Sequence, residues 1–440
     1  MSTDRIVDPY LPGSGNLGYR VSRYELDLEY KVATNRLSGT ATITAVAAAE
    51  LHTLTLDLSD ALSVSKVTVN GARPARFRTS AGKLHITLAE PLSTDAAVTI
   101  AVRYGGNPRP VRSHWGDVGF EELTDGALVA GQPNGAPSWF PCDDRPGAKA
   151  SVGIRIRTEN PYYALANGTL VGRLAHAGMT TWSYEQPEPT STYLVTLQIG
   201  RYGRHPVGDD GVSIHAVLPD RLRENFASDF ARQPQMMALF VELFGPYPLT
   251  GGYTVVVTDD DLEIPLEAQG ISIFGANHCS GRGQRAERLI AHELAHQWFG
   301  NSVTVRQWQH IWLHEGFACY AEWLWSERSG GRSADAWARH YHQRLADAPQ
   351  DLVLADPGVR NLFDDRVYKR GALTLHALRG HLGDENFFAL LRDWTQRYRH
   401  STAVTDDFTA LTSEYADGSL RPLFEAWLYA TALPALDAPP

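Results

Sequence analysis

The hydrophobic period of this chain changes once, near residue 205, and that change limits the folds open to it. Before that point apolar residues recur at every second position, the period of half-buried strands. Tyr24 to Tyr30, Thr40 to Val46, Leu54 to Leu58, Leu84 to Leu88, Val98 to Tyr104, Val152 to Arg157 and Tyr193 to Ile199 all read this way. Val67 to Val69 runs into Asn70-Gly71, a two-residue hairpin signal. After 205 two strands, Val212 to Val217 and Tyr253 to Val257, flank a helix over Ala227 to Phe244. From residue 333 onward the spacing is three and four, giving helices over 334–348, 367–381, 385–399, 406–415 and 420–430. The expectation is an α+β protein: a β-rich domain over 1–205, saddle- or sandwich-like, then a mixed domain over 206–440 whose second half is largely helical.

A net charge of −10 disfavours nucleic acid and anionic membranes as partners. No apolar run is long enough to span a bilayer. The start, Met1-Ser-Thr-Asp-Arg, lacks the basic and apolar regions of a signal peptide, so a cytoplasmic location is expected. No feature calls for an obligate protein partner. Cys142, Cys279 and Cys319 are too few and too scattered for a disulfide framework, and buried free thiols are their expected state.

Chemistry concentrates in His292-Glu293-Leu-Ala-His296 and in Trp312-Leu-His-Glu315. A spacing of four stacks two imidazoles on one helix face, one turn apart, which suits a tetrahedral Zn²⁺. Glu293 sits between them, where a general base toward the zinc-bound water is needed. Glu315, near the start of a second helical run over 313–325, is the best candidate for a third ligand. Two histidines and one carboxylate leave a coordination position open, as catalytic sites do. Glu322 lies two turns beyond Glu315 on the same face, where it either fixes the tautomer of a ligand histidine or faces solvent. Asn301 either supports the ligands or caps the first helix. Gly131 to Gly147 is a Pro/Gly-rich loop of a length more often functional than idle.

Taken together these segments resemble the gluzincin aminopeptidases, the group of aminopeptidase N and leukotriene-A hydrolase. The zinc segments match closely, with eighteen residues between His296 and Glu315. Trp139-Phe-Pro-Cys-Asp-Asp-Arg-Pro resembles an element of the family's β-domain, and Val367-Tyr368-Lys-Arg-Gly371 the segment of its catalytic tyrosine. The resemblance implies a thermolysin-like catalytic domain over 206–440, one Zn²⁺ per chain, and removal of N-terminal residues from peptides with a free N-terminus. It implies that Tyr368 stabilises the oxyanion, and that Glu267 and Gln132 hold the substrate's α-amino group. It further implies a short form, without the C-terminal helical domain of larger relatives. The family's Gly-x-Met-Glu-Asn element departs here to Ile264-Pro-Leu-Glu267-Ala-Gln-Gly270, which keeps only the glutamate. A thermolysin-like endopeptidase, a small-molecule zinc hydrolase, and a non-catalytic interaction protein on the same fold stand as alternatives. The intact set of five site residues speaks against the last.

Overall fold

The computed structural model describes residues 6–209, 211–283 and 286–436. The sequence reading of Met1 to Arg5 falls outside these residues. The fold is α+β, a multi-sheet β region followed by a helical region. It divides into two compact units, each described here by itself. The first comprises 1–207, 213–223 and 249–278, and the second 208–212, 224–248 and 279–440. The chain therefore does not part at a single point near 205. Strands at 214–218, 253–257 and 271–274 join the first unit because Val217, Val256, Ala268, Ile271 and Ile273 are buried in the same core as its sheets.

The largest sheet of the first unit has seven strands, in the order Thr169–His176, Met179–Thr190, Ala150–Glu159, Tyr19–Lys31, Arg36–Ala47, Ala97–Gly106, Leu62–Val69. Alternation sets its faces: Tyr24, Leu26, Leu28 and Tyr30 are buried while Glu25, Asp27 and Glu29 point outward. The sequence reading is corrected at two places. Asn70 and Gly71 do take positive φ in a tight turn, with Val69 and Ala72 exchanging backbone hydrogen bonds. No hairpin follows, because the next strand, Arg76–Ser80, joins a separate three-stranded sheet. The strand read from Tyr193 begins only at Leu197, after a 3₁₀ turn over Thr192–Leu194. The buried Asn167 side chain donates to Leu194 O and accepts from Thr196 N–H, meeting backbone groups that a strand partner would otherwise have to meet.

The same unit carries a five-stranded sheet in which Ile214–Leu218, Tyr253–Val257 and Ile271–Phe274 are parallel. Its edge strand Leu266–Ala268 runs antiparallel and places Glu267 opposite Ser272. In the turn before that edge strand Asp259 pairs with Arg221, and Asp260 accepts from the Thr124 hydroxyl and N–H.

In the second unit the helix read over 227–244 is two, α1 (Arg223–Asp229, whose first residue belongs to the first unit) and α2 (Gln233–Phe244). Then follow α3 (Glu287–Ala295), α4 (Trp312–Arg328), α5 (Ala334–Ala346), α6 (Asp365–Arg397) and α7 (Thr405–Thr412). Ser333 caps α5 by accepting from Ala336 N–H. Helix α6 breaks at Gly383 (φ 74°), between the two segments that periodicity separates. Helices α4 and α6 cross with Gly316 against Gly371: a Cβ on either would stand 2.8 Å or less from the other's Cα.

The last helix read from sequence is shorter than expected, four residues (Arg421–Phe424) and then a π turn over Glu425–Tyr429. The guanidinium of Arg370, 4% exposed, collects the carbonyls released there. It donates to Ala426, Trp427, Ala430, Thr431 and Ala432 O at 2.6–3.2 Å. Cys142, Cys279 and Cys319 are buried thiols, with no disulfide among the described residues. Among the described residues no helix is long and apolar enough to cross a membrane.

Candidate metal centre

Helix α3 supplies two imidazoles and α4 one carboxylate. Aromatic packing behind them fixes both helices: Phe244 contacts Trp298 and Phe299, Phe299 contacts Phe317, and Phe317 contacts Trp312 and Phe408. The Trp298 indole N–H, donated to Gly245 O at 3.0 Å, ties the end of the motif to the turn after α2. Regular helix ends at His296, earlier than the motif suggests. Beyond it Gln297 and Trp298 make tighter turns onto Leu294 and Ala295, and Asn301 N–H closes onto His296 O at 2.9 Å. Asn301 is fully buried at this helix end.

The structure brings His292, His296 and Glu315 together, with one ligand atom of each within 4.8 Å of the others. Glu315 Oε2 stands 3.4 Å from His292 Nε2 and 3.6 Å from His296 Nε2. Donors about 2.0–2.1 Å from one tetrahedral cation lie about 3.4 Å apart, so these separations fit a single Zn²⁺-sized ion. The hydrogen bonds on the far side of each ring fit as well. His292 Nδ1 meets Glu322 Oε1 at 2.8 Å, and His296 Nδ1 meets Phe299 O at 2.9 Å. A carboxylate and a carbonyl only accept, so both Nδ1 atoms carry protons and the Nε2 atoms are the ones turned toward Glu315.

Charge in the cluster gives the same answer. Burial disfavours the imidazolium of His292, yet Glu315 and Glu322 outweigh it and raise its pKa to about 10. Burial pushes the Glu322 carboxyl up, but the His292 hydrogen bond and the charges of Lys369 and Arg288 bring it down to about 2. Glu315 is likewise held below its ordinary value by the two imidazoles, against the effect of burial. Buried carboxylates around two histidines make a place for positive charge. Glu293, 4% exposed, projects from α3 between the ligands in sequence, and the Tyr368 ring lies parallel to His292 with centroids 6.0 Å apart.

In the first unit Gln132 Nε2 donates to Glu267 Oε1 at 2.7 Å, joining residues 135 positions apart. The loop and the edge strand that carry them are thus one polar pair. Sequence reading missed Arg288 and Lys369. Arg288 Nη1 reaches both oxygens of Glu322, at 3.2 and 3.1 Å. It lies four residues before His292, on the same helix face, and that spacing is the signal that finds it. Lys369 acts on Glu322 from α6, and no local pattern announces that.

A neighbouring network gives a stability prediction. The Thr405 N–H donates to His310 Nδ1 at 3.4 Å, so that nitrogen accepts, and the Thr405 hydroxyl, which takes the Trp312 indole N–H at 3.0 Å, gives its own proton to His310 Nδ1 at 2.9 Å. His310 is therefore neutral, and burial lowers its pKa from 6.5 to about 4. The unfolded chain takes up this proton as the pH falls below 6.5, whereas the folded chain resists until about 4. This contribution is thus complete above pH 6.5 and is lost on acidification through that window. Urea unfolding of His310→Asn is expected to show a weaker acid dependence between pH 6.5 and 4 than the unsubstituted protein, by ~2 kcal/mol. Identical slopes would refute the assignment.

A buried His₂Glu donor set with oriented tautomers, on a helical unit that follows a multi-sheet β unit, defines the class of single-metal hydrolase scaffolds. The peptidase M1 N-terminal domain matches residues 21–194, and the peptidase family M1 domain matches 233–427. Aminopeptidase M1-D of Oryza sativa is 25% identical, over 94% of this chain and 50% of its own length. Endoplasmic reticulum aminopeptidase 1 of Homo sapiens is 28% identical, over 72% of this chain and 36% of its own. The chain thus spans about half or less of the length of these curated relatives. A crystal structure of a mutant M1 zinc metallopeptidase from Deinococcus radiodurans, bound to a Tyr-Ser-Ala substrate, superposes with TM-score 0.89 at 28% identity. It covers 98% of this chain and 99% of that one. This chain belongs to the peptidase M1 family.

Proposed function

We propose that the chain is a zinc-dependent aminopeptidase that removes the N-terminal residue of peptides. The observation that carries the reading is the triad of His292, His296 and Glu315, with both histidine Nδ1 protons already committed to acceptors. These three residues hold one zinc ion, which when bound supplies a Lewis acid that activates water and polarises the scissile carbonyl. Glu293 takes the proton of the attacking water and delivers it to the leaving amine. Tyr368, held beside His292, donates a hydrogen bond to the oxygen on which negative charge develops. Glu322 fixes the His292 ring, and Asn301 closes the end of the ligand helix by its backbone bond to His296.

Glu267 and Gln132 receive the substrate's α-ammonium. A carboxylate there admits one residue before the scissile bond and penalises a chain that extends further. A tripeptide, Tyr-Ser-Ala, in one solved relative and free L-arginine in another are ligands of the kind that stepwise removal of residues requires. The departure at Ile264 to Gly270 leaves this pair intact while altering its neighbours.

The test is a panel of aminoacyl fluorogenic amides, each with a free and an acetylated amine, assayed with and without a chelator. Turnover is expected to vanish with chelator and on acetylation. Glu267→Ala is expected to lower kcat/KM for the free-amine series at least ~100-fold, as for a buried charge pair lost from a substrate. Cleavage of the acetylated series at equal rates would replace this reading with the endopeptidase one.

A further inference from the structure

Behind the metal centre, within the helical unit, lies a cavity of about 450 Å³ that the proposed reaction does not use. That volume falls within the range of small-molecule pockets, roughly 300–1,000 Å³. Its walls are aromatic: Trp323 and Trp337 both stack on Tyr341, at 5.5 and 5.7 Å between centroids, and Trp325 lies under the guanidinium of Arg232. Its charged groups are two arginines and two glutamates, and its serines, Ser326 and Ser329, already bond to Arg332 O, Trp337 Nε1 and Ser326 O. The glutamates are already served, Glu287 by Trp325 Nε1 at 3.0 Å and by Arg232, and Glu322 by His292 and Arg288. What remains is donor capacity. Arg288 is half-exposed, and only its Nη1 has a partner among the described residues; the buried Trp323 Nε1 has none among them. Spare donors in an aromatic cavity call for a ligand with an apolar body and an anionic acceptor.

We propose that this cavity is a second ligand site, taking an apolar carboxylate that pairs with Arg288. Its occupancy reaches the metal centre through Glu322 and His292, a coupling that rests on the metallopeptidase reading above. Arg288 and His292 share one carboxylate, so a ligand that draws on Arg288 leaves Glu322 to pull harder on the His292 Nδ1 proton. With zinc bound, His292 would then be the more basic ligand and the centre a weaker Lewis acid. Ligand and substrate therefore bind together, and the ligand slows the chemical step rather than displacing the peptide.

The probe is 3-phenylpropionate, which has no α-amine, and its neutral amide is the control. Isothermal titration of the zinc-loaded protein, its metal site filled with leucine hydroxamate, is expected to give one site per chain for the acid. The amide is expected to bind at least tenfold more weakly. Arg288→Gln and, independently, Trp337→Ala are each expected to weaken the acid at least tenfold, with zinc content and melting temperature measured to establish folding. At saturation kcat is expected to fall at least twofold with KM unchanged. No binding by 10 mM, displacement by the hydroxamate, equal binding of the amide, or indifference to both substitutions would overturn the site. Binding with unaltered or competitive kinetics would overturn the coupling. A protein that binds the acid yet cleaves no amide would indict the aminopeptidase reading and leave the pocket standing.

Discussion

Glu293→Gln is expected to lower kcat on a free-amine peptide by about 10³-fold while zinc remains at one per chain, the range for a lost general base. The side chain is carried on α3 and is not one of the trio His292, His296 and Glu315, and the amide keeps its volume while removing its basicity. Metal analysis beside single-turnover kinetics separates the two roles. If zinc were lost with activity, Glu293 would belong with the ligands. If activity survived within tenfold, the proton would have to leave the water by another route. KM is expected to change little, since the general base acts on charge that develops only in the transition state.

Gly371→Val is expected to destabilise the protein by at least about 3 kcal/mol and to remove most of its activity, the upper range for overpacking against rigid neighbours. The added carbons meet backbone: a Cβ at this position stands 2.7 Å from Gly316 Cα. No side chain is present to rotate aside, so α4 and α6 must separate. Gly316 follows Glu315 directly and Gly371 lies three residues after Tyr368, so separation moves Glu315 and Tyr368, the proposed ligand and oxyanion donor, away from one another. Thermal unfolding in excess zinc, with kcat measured below the transition, tests this. An unshifted melting temperature would mean that the crossing is looser than the contact distance implies.

What was legible in the sequence follows from how local each feature is. His292 and His296 share a helix face by virtue of four-residue spacing alone, and Glu315 opens the next strongly apolar helix, so the trio that the structure brings together could be named before any fold was known. The division into a strand-rich and a helix-rich region was legible for the same reason. Arg288 was legible in principle, one turn before His292. By contrast, the Lys369 contribution to Glu322 depends on how α6 lies across α4, a crossing set by two glycines whose partnership no periodicity records. The grouping of 213–223 and 249–278 with the first unit was hidden because buried parallel strands read as plain apolar runs, which carry no mark of the sheet they will join. The turn at Asn70-Gly71 was correctly read as a turn. The hairpin was not, because local chemistry sets the reversal and only sheet pairing decides where the next strand goes.

Arg370 gives the end of the described chain a role that its short, irregular secondary structure conceals. Its guanidinium sits in the interior, and among the described residues its hydrogen-bond partners are all carbonyl oxygens, those of Leu352, Ala426, Trp427, Ala430, Thr431 and Ala432, which solvate it in place of water. Trimming the gene after residue 424, or fusing a domain that drags this stretch away, would leave a naked cation two positions from Tyr368. For anyone engineering this scaffold, the carbonyls of residues 426–432 are what hold Arg370 in place, and the stretch that carries them is to be kept.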